Sequence, residues 1–222
     1  MSAADSLGDE RAVKPRLRGV LHQGAFVVSI IPAPLLLMSA DTDRSRLAAS
    51  IFAFSLAACF GASALYHRVT WTPPVRRWMR RVDHAGVYLL IGGTYTPISL
   101  LVLHGDWGPV ILVVVWTGAL AAILLKFIWT DAPKWVAAAA GLTLGWVAVV
   151  ALPQLVDRLQ LSALTLLIAG GLLYSAGAIV YARRKPNPLP AVFGYHEVFH
   201  ALTIAAAACQ YVAIAVYVIR PR

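Results

Sequence analysis

Seven runs of about 18 to 25 mostly apolar residues follow one another along this chain, and no other feature constrains its fold as strongly. A hydrocarbon core about 30 Å thick is crossed by about 20 residues of helix. The runs extend approximately from Val20 to Ala40, Leu47 to Val69, Val82 to Leu103, Pro109 to Ile128, Trp135 to Leu152, Leu161 to Ala182 and Tyr195 to Ile219. None shows the alternating ten-residue pattern of a membrane barrel strand, and backbone in hydrocarbon must satisfy its own hydrogen bonds. The expectation is an all-α membrane protein, a seven-transmembrane helix bundle over residues 20–219 behind an N-terminal tail of residues 1–19. Composition agrees. Hydrophobic residues make up 59% and charged residues 13% of 222, whereas an ordinary soluble domain carries about 25% charge. A soluble enzyme fold, a disordered chain and a disulfide scaffold are thereby excluded. Cys59 and Cys209, the two cysteines, both fall within apolar runs and read as small buried hydrophobes. Pro32, Pro34 and Pro97 fall inside runs and should kink them.

The formal net charge of +9 has a topological explanation. Lys and Arg residues concentrate in the tail, in the second connection (Arg68, Arg76, Arg77, Arg80 and Arg81), and in the fourth and sixth connections (Lys126, Lys134, Arg183, Arg184 and Lys185). Cationic loops stay cytoplasmic, so the tail is expected inside and the C-terminus outside. The tail lacks the short apolar core of a signal peptide. Partners are therefore membrane lipids, with no nucleic acid, and the expected location is the plasma (inner) membrane.

Ionisable side chains inside spans are costly, and each is a functional candidate. Span two runs inward to Ser63 and His67. Span three begins inside near Asp83 and His84, and span seven begins inside with His196, Glu197 and His200. Three separate segments thus bring polar groups to one depth on one side of the membrane. His196 and His200 lie four residues apart on one helical face and can share a metal. With His67 as third ligand, a fourth tetrahedral position stays open for water, as in catalytic zinc sites. Ser63 lies one turn from His67 and could hydrogen-bond beside it. Asp83 has two readings, an interfacial ion pair with Arg80 or Arg81, or a carboxylate facing the histidines. His22, His84 and His104 read as hydrogen-bonded interfacial residues. Bis-histidine haem needs ligands on opposite ring faces, which two residues one turn apart on one helix cannot supply alone.

The segments Ser63-Ala-Leu-Tyr-His67-Arg68, Arg81-Val-Asp83-His84-Ala-Gly86 with Gly93-Thr-Tyr-Thr-Pro97, and Phe193-Gly-Tyr-His196-Glu-Val-Phe-His200 together resemble the hemolysin III family. That family is related to the progestin and adipoQ receptors and, more distantly, to alkaline ceramidases. The resemblance implies Zn2+ bound by His67, His196 and His200, with a water near Asp83 and Ser63. It further implies a hydrolase acting on a lipid amide or ester of ceramide type. Two positions depart from the family pattern. Arg18-Gly-Val-Leu-His22 lacks the Asn and Thr common before the histidine, and Gln210 stands where many relatives have a histidine. Two rival readings follow from the same residues. One is a sensor or pore-forming protein with a structural zinc. The other takes His196-Glu-Val-Phe-His200 as the H-E-x-x-H helix of an intramembrane metalloprotease with Glu197 as base. Against the second, Glu197 lies about 80° from the mean direction of the two histidines, at 100° per residue.

Overall fold

The computed structural model describes residues 14–220, so most of the tail expected at residues 1–19 lies outside the described residues. Apart from connections and one isolated bridge between Leu189 and Phe193, the described residues are helical: α1 (Val20–Ile30), α2 (Ala33–Met38), α3 (Asp43–Arg68), α4 (Pro73–Leu101), α5 (Trp107–Ile128), α6 (Lys134–Gly145), α7 (Leu152–Arg158), α8 (Leu161–Arg183) and α9 (Tyr195–Val212). A 3-10 turn, Val147–Ala151, links α6 to α7, and a π-helical stretch, Ala213–Val218, continues α9. Among the described residues six helical runs are long and apolar enough to cross a membrane; they coincide with every expected span except the third.

The third span differs for a physical reason. Helix α4 starts at Pro73, about two and a half turns before the expected Val82, because Thr72-Pro73-Pro74 presets helical φ where the missing N–H groups cost nothing. Its first turns carry Arg76, Arg77, Arg80 and Arg81 beyond the apolar part. The remainder is the polar centre of the bundle, with Tyr88, Tyr95, Thr96 and Ser99 all buried. It packs between α3 and α5. Asp83 therefore sits in the third turn of a helix rather than at its start.

Two other spans are interrupted, the first where a proline kink was expected and the fifth without such a signal. The first breaks at Ile31–Pro32, where proline lacks the donor an uninterrupted helix needs. The fifth breaks after Gly145. The exposed backbone is satisfied by one side chain: the Tyr95 hydroxyl donates to Gly145 O at 2.8 Å and accepts the Ala148 N–H at 2.8 Å. Irregular backbone at membrane depth requires such internal partners. Pro97, by contrast, lies within α4 without ending it.

Close helix contact sets the position of the polar residues. A Cβ on Gly86 would lie 3.0 Å from Cys59 Cα, and one on Gly93 would lie 1.9 Å from Ser55 Oγ. Only glycine lets α3 and α4 approach this closely, and the contact brings the turn holding Ser63 and His67 against the turn holding Asp83. Helix α3 begins with a reciprocal cap, Thr42 Oγ1 accepting from Ser45 N and Ser45 Oγ accepting from Thr42 N. The outward faces are apolar, with Phe54, Val113, Leu120, Leu172 and Ile179 exposed, a surface suited to hydrocarbon rather than water.

Candidate metal centre

His67 comes from the last turn of α3, and His196 and His200 come from the first two turns of α9. One ring nitrogen from each lies within 4.8 Å of the others. His67 Nε2 and His196 Nε2 are 3.0 Å apart. His67 and His200 are buried, at 7% and 2% exposure. Tetrahedral coordination with Zn–N bonds of about 2.0–2.1 Å spaces ligand nitrogens by about 3.3 Å, so these donors fit a small divalent ion. The His200 Nδ1 and the Ser63 Oγ are buried without hydrogen-bond partners among the described residues. Unsatisfied buried polar atoms are rare in folded proteins, and their clustering here marks a site built for something more than packing.

Asp83 approaches from α4, with Oδ2 at 3.7 Å from His67 Nε2. Its expected rival partners are occupied elsewhere: Arg80 Nη1 donates to Asp131 at 2.8 Å, and Arg81 Nε donates to Thr130 Oγ1 at 2.8 Å. Ser63 Oγ lies beside the Asp83 carboxylate but outside hydrogen-bonding geometry. The structure thus brings Ser63, His67, Asp83, His196 and His200 to one place.

Glu197 is fully buried and points away from this cluster of donors. One carboxylate oxygen accepts from Arg18 Nε, and the other accepts the Gly194 N–H at 2.8 Å. It closes the first turn of α9 and anchors the segment before α1. Backbone bonds from Arg16 N to Ala191 O and from Leu17 N to Val192 O, each 3.1 Å, hold the same segment against the approach to α9. Lys14 Nζ donates to His67 O. Loss of hydration lowers the Lys14 pKa from its ordinary value, and the neighbouring Arg18, Arg68 and Arg76 push it the same way.

Three contributions were not visible in the sequence. His22 stacks on His200, with centroids 3.7 Å apart and planes 10° from parallel. Neither His22 ring nitrogen has a hydrogen-bond partner among the described residues, contrary to the expected interfacial bonding. Arg18, four residues before it, gave no signal beyond charge, because its partner Glu197 is 179 residues away. Lys126, counted only as a cationic loop residue, lines an internal cavity. His104 and Gln210 lie apart from the histidine cluster: His104 bonds Arg158 at 3.1 Å, and Gln210 donates to Leu167 O at 3.1 Å.

That cavity, of about 250 Å³, has His22, Ser63, Asp83, His196 and His200 in its wall at one end and apolar residues such as Leu152 and Leu164 at the other. The amino-acid sequence that builds this three-histidine cluster is similar to known proteins over nearly the whole chain. The family model described as "Haemolysin-III related" matches residues 10–211. The chain belongs to this family. It is 29% identical over 211 residues to "Hemolysin-3" of Bacillus cereus, covering 93% of each chain. It is 27% identical over 212 residues to a "Hemolysin-3 homolog" of Bacillus subtilis (strain 168), covering 94% of this chain and 96% of that one. Similarity extends to the human "Monocyte to macrophage differentiation factor", 25% identical over 211 residues, covering 90% of this chain and 82% of the human one. With six apolar helical runs, this haemolysin-III-related chain is a multi-pass membrane protein.

Proposed function

We propose that this haemolysin-III-related protein is a zinc-dependent hydrolase of a lipid amide or ester. Its N-terminus would be cytoplasmic and its C-terminus outside, with α4 as a seventh span of the plasma membrane. The observation that carries the reading is the juxtaposition of three convergent imidazoles, an adjoining carboxylate and an apolar cavity. His67, His196 and His200 would hold the metal. Zinc, when bound, supplies Lewis acidity, acidifying water towards a pKa of about 7 and polarising a carbonyl. Asp83 accepts the proton of the attacking water and returns it to the departing amine or alcohol. The Ser63 hydroxyl, beside the Asp83 carboxylate, donates to the carbonyl oxygen or orients the water. The apolar cavity takes the acyl chain and places its carbonyl at the histidine end, while the surrounding helices exclude bulk water.

Two observations bear on the rival readings. Glu197 has both carboxylate oxygens committed, to Arg18 and to Gly194 N, which disfavours it as a protease base. A pore or sensor reading draws on the relatives named "Hemolysin-3" and needs no carboxylate at 3.7 Å from a ligand. The test is Asp83→Asn in purified, zinc-loaded protein, assayed by mass spectrometry on a panel of amide- and ester-linked lipids. We expect metal retention and a loss of about 10²–10⁴ in hydrolysis rate. Absence of any hydrolysis by the unaltered protein would favour the sensor or pore.

A further inference from the structure

Lys126 is 3% exposed and lies in the wall of the same cavity as Asp83 and His200. It stands in the last turn of α5, and that end of α5 is fixed beside the turn of α4 holding Arg80 and Arg81. Trp78 packs edge-on against Phe127 with centroids 5.8 Å apart. The ammonium makes no hydrogen bond or ion pair among the described residues. Two carboxylates that could have neutralised it are paired elsewhere, Asp131 to Arg80 at 2.8 Å and Glu197 to Arg18, and Asp83 shares the cavity wall but makes no ion pair with it. His84 lines the same cavity, and its buried Nδ1 has no hydrogen-bond partner among the described residues.

A buried cation without a counterion is costly in a protein interior and more so within a membrane. A lysine serving only as a topological marker would extend its head to water, where a partner or hydration is free of cost. Here the residue is enclosed and lines a cavity whose wall, away from the histidines and Asp83, is mostly apolar. The missing anion is therefore most economically supplied by whatever fills that cavity.

We infer that Lys126, with His84 beside it, forms an anion subsite for an oxyacid group, a carboxylate or phosphate, carried by a single-chain lipid whose chain occupies the apolar cavity. The inference rests on reading the cavity as a lipid site and deepens that reading. It restricts the ligands to amphiphiles that present a negative group near the histidines, and excludes neutral and cationic lipids of the same chain length. Lys126 is a binding and specificity residue; it takes no part in bond breaking.

The experiment uses the full-length protein in detergent and counts retained ligands by native mass spectrometry. The probes are dodecanoate, dodecyl phosphate, dodecanol and dodecyltrimethylammonium, with inorganic phosphate as a chainless competitor. We expect one anionic amphiphile, the carboxylate or the phosphate, to be retained at least about tenfold better than dodecanol, as a charge-assisted bond warrants. Lys126→Gln should abolish that preference, Lys126→Arg should keep most of it, and inorganic phosphate should not displace the lipid. Equal retention of dodecanol, or a preference unchanged in Lys126→Gln, overturns the inference. Displacement by inorganic phosphate overturns the lipid assignment. The headgroup series on the unaltered protein after chelation decides the matter even where Lys126→Gln fails to fold. A preference that survives metal removal supports Lys126, and one lost with the metal assigns the anion to the histidines and overturns the proposal. Binding is read without turnover, so a Lys126-dependent preference without hydrolysis contradicts only the hydrolase reading. Hydrolysis with no such preference contradicts only the subsite.

Discussion

Replacing Glu197 by Gln separates an anchoring role from a chemical one. The carboxylate accepts two hydrogen bonds, one on each oxygen, from Arg18 Nε and from Gly194 N, and its own exposure is zero. A glutamine amide offers one oxygen and one NH2 group, so it can satisfy one of these donors and must face the other with a donor. The loss is one hydrogen bond to a charged group, about 1.5–3 kcal/mol. Arg18 is 21% exposed and recovers part of its hydration, which lowers the expected cost to about 1–2 kcal/mol. For a chain of this size that corresponds to roughly 2–8 °C in midpoint. The assay is thermal unfolding of the detergent-solubilised protein, followed by size-exclusion fluorescence, together with metal content and lipid hydrolysis per metal-loaded chain. We expect a lowered midpoint, with metal content and hydrolysis per loaded chain largely kept. Glu197→Ala removes both acceptors and should cost about 3–5 kcal/mol. Full thermal stability in Glu197→Gln combined with abolished hydrolysis would refute this reasoning and favour the protease-like mechanism.

Three further outcomes follow from the fold. A reporter fused after Arg222 should appear outside the cell and one inserted within residues 76–81 inside; both on one side would remove α4 as a span. Tyr95→Phe deletes the hydroxyl that bridges Gly145 O and Ala148 N and should cost about 1–3 kcal/mol, seen as a lower unfolding midpoint and faster amide exchange near residues 145–149. Gly93→Ala places a Cβ 1.9 Å from Ser55 Oγ, so α3 and α4 must separate. A stability loss of about 1–3 kcal/mol is expected, and an unchanged midpoint would show that the helices tolerate a wider spacing.

The all-helical architecture was legible because span length and hydropathy are local properties. Six of the seven expected runs have the length and composition to cross a membrane. The gathering of Ser63, His67, Asp83, His196 and His200 in one place was legible too, because alternating loop charge predicts antiparallel neighbouring runs independently of the motifs. What escaped is non-local. Tyr95 repairing a broken helix 50 residues away, Arg18 reaching Glu197, and His22 lying flat on His200 all depend on which helices touch. No periodicity within a single segment reports that. The early start of α4 was missed because hydropathy marks where a helix enters hydrocarbon, not where it begins. The burial of Lys126 escaped for a related reason: loop charge speaks to the side of the membrane, whereas only packing reveals how far a side chain is enclosed.

The account stands on three imidazoles from α3 and α9 holding one metal ion, and metal stoichiometry of the purified protein tests this most directly. Plasma emission spectrometry of protein prepared from zinc-supplemented cells should find about one zinc per chain. His67→Ala, His196→Ala and His200→Ala should each lose most of it, while His104→Ala and the stacking-preserving His22→Phe retain it. Full zinc content in a folded His67→Ala protein, or none in the unaltered chain, would contradict it.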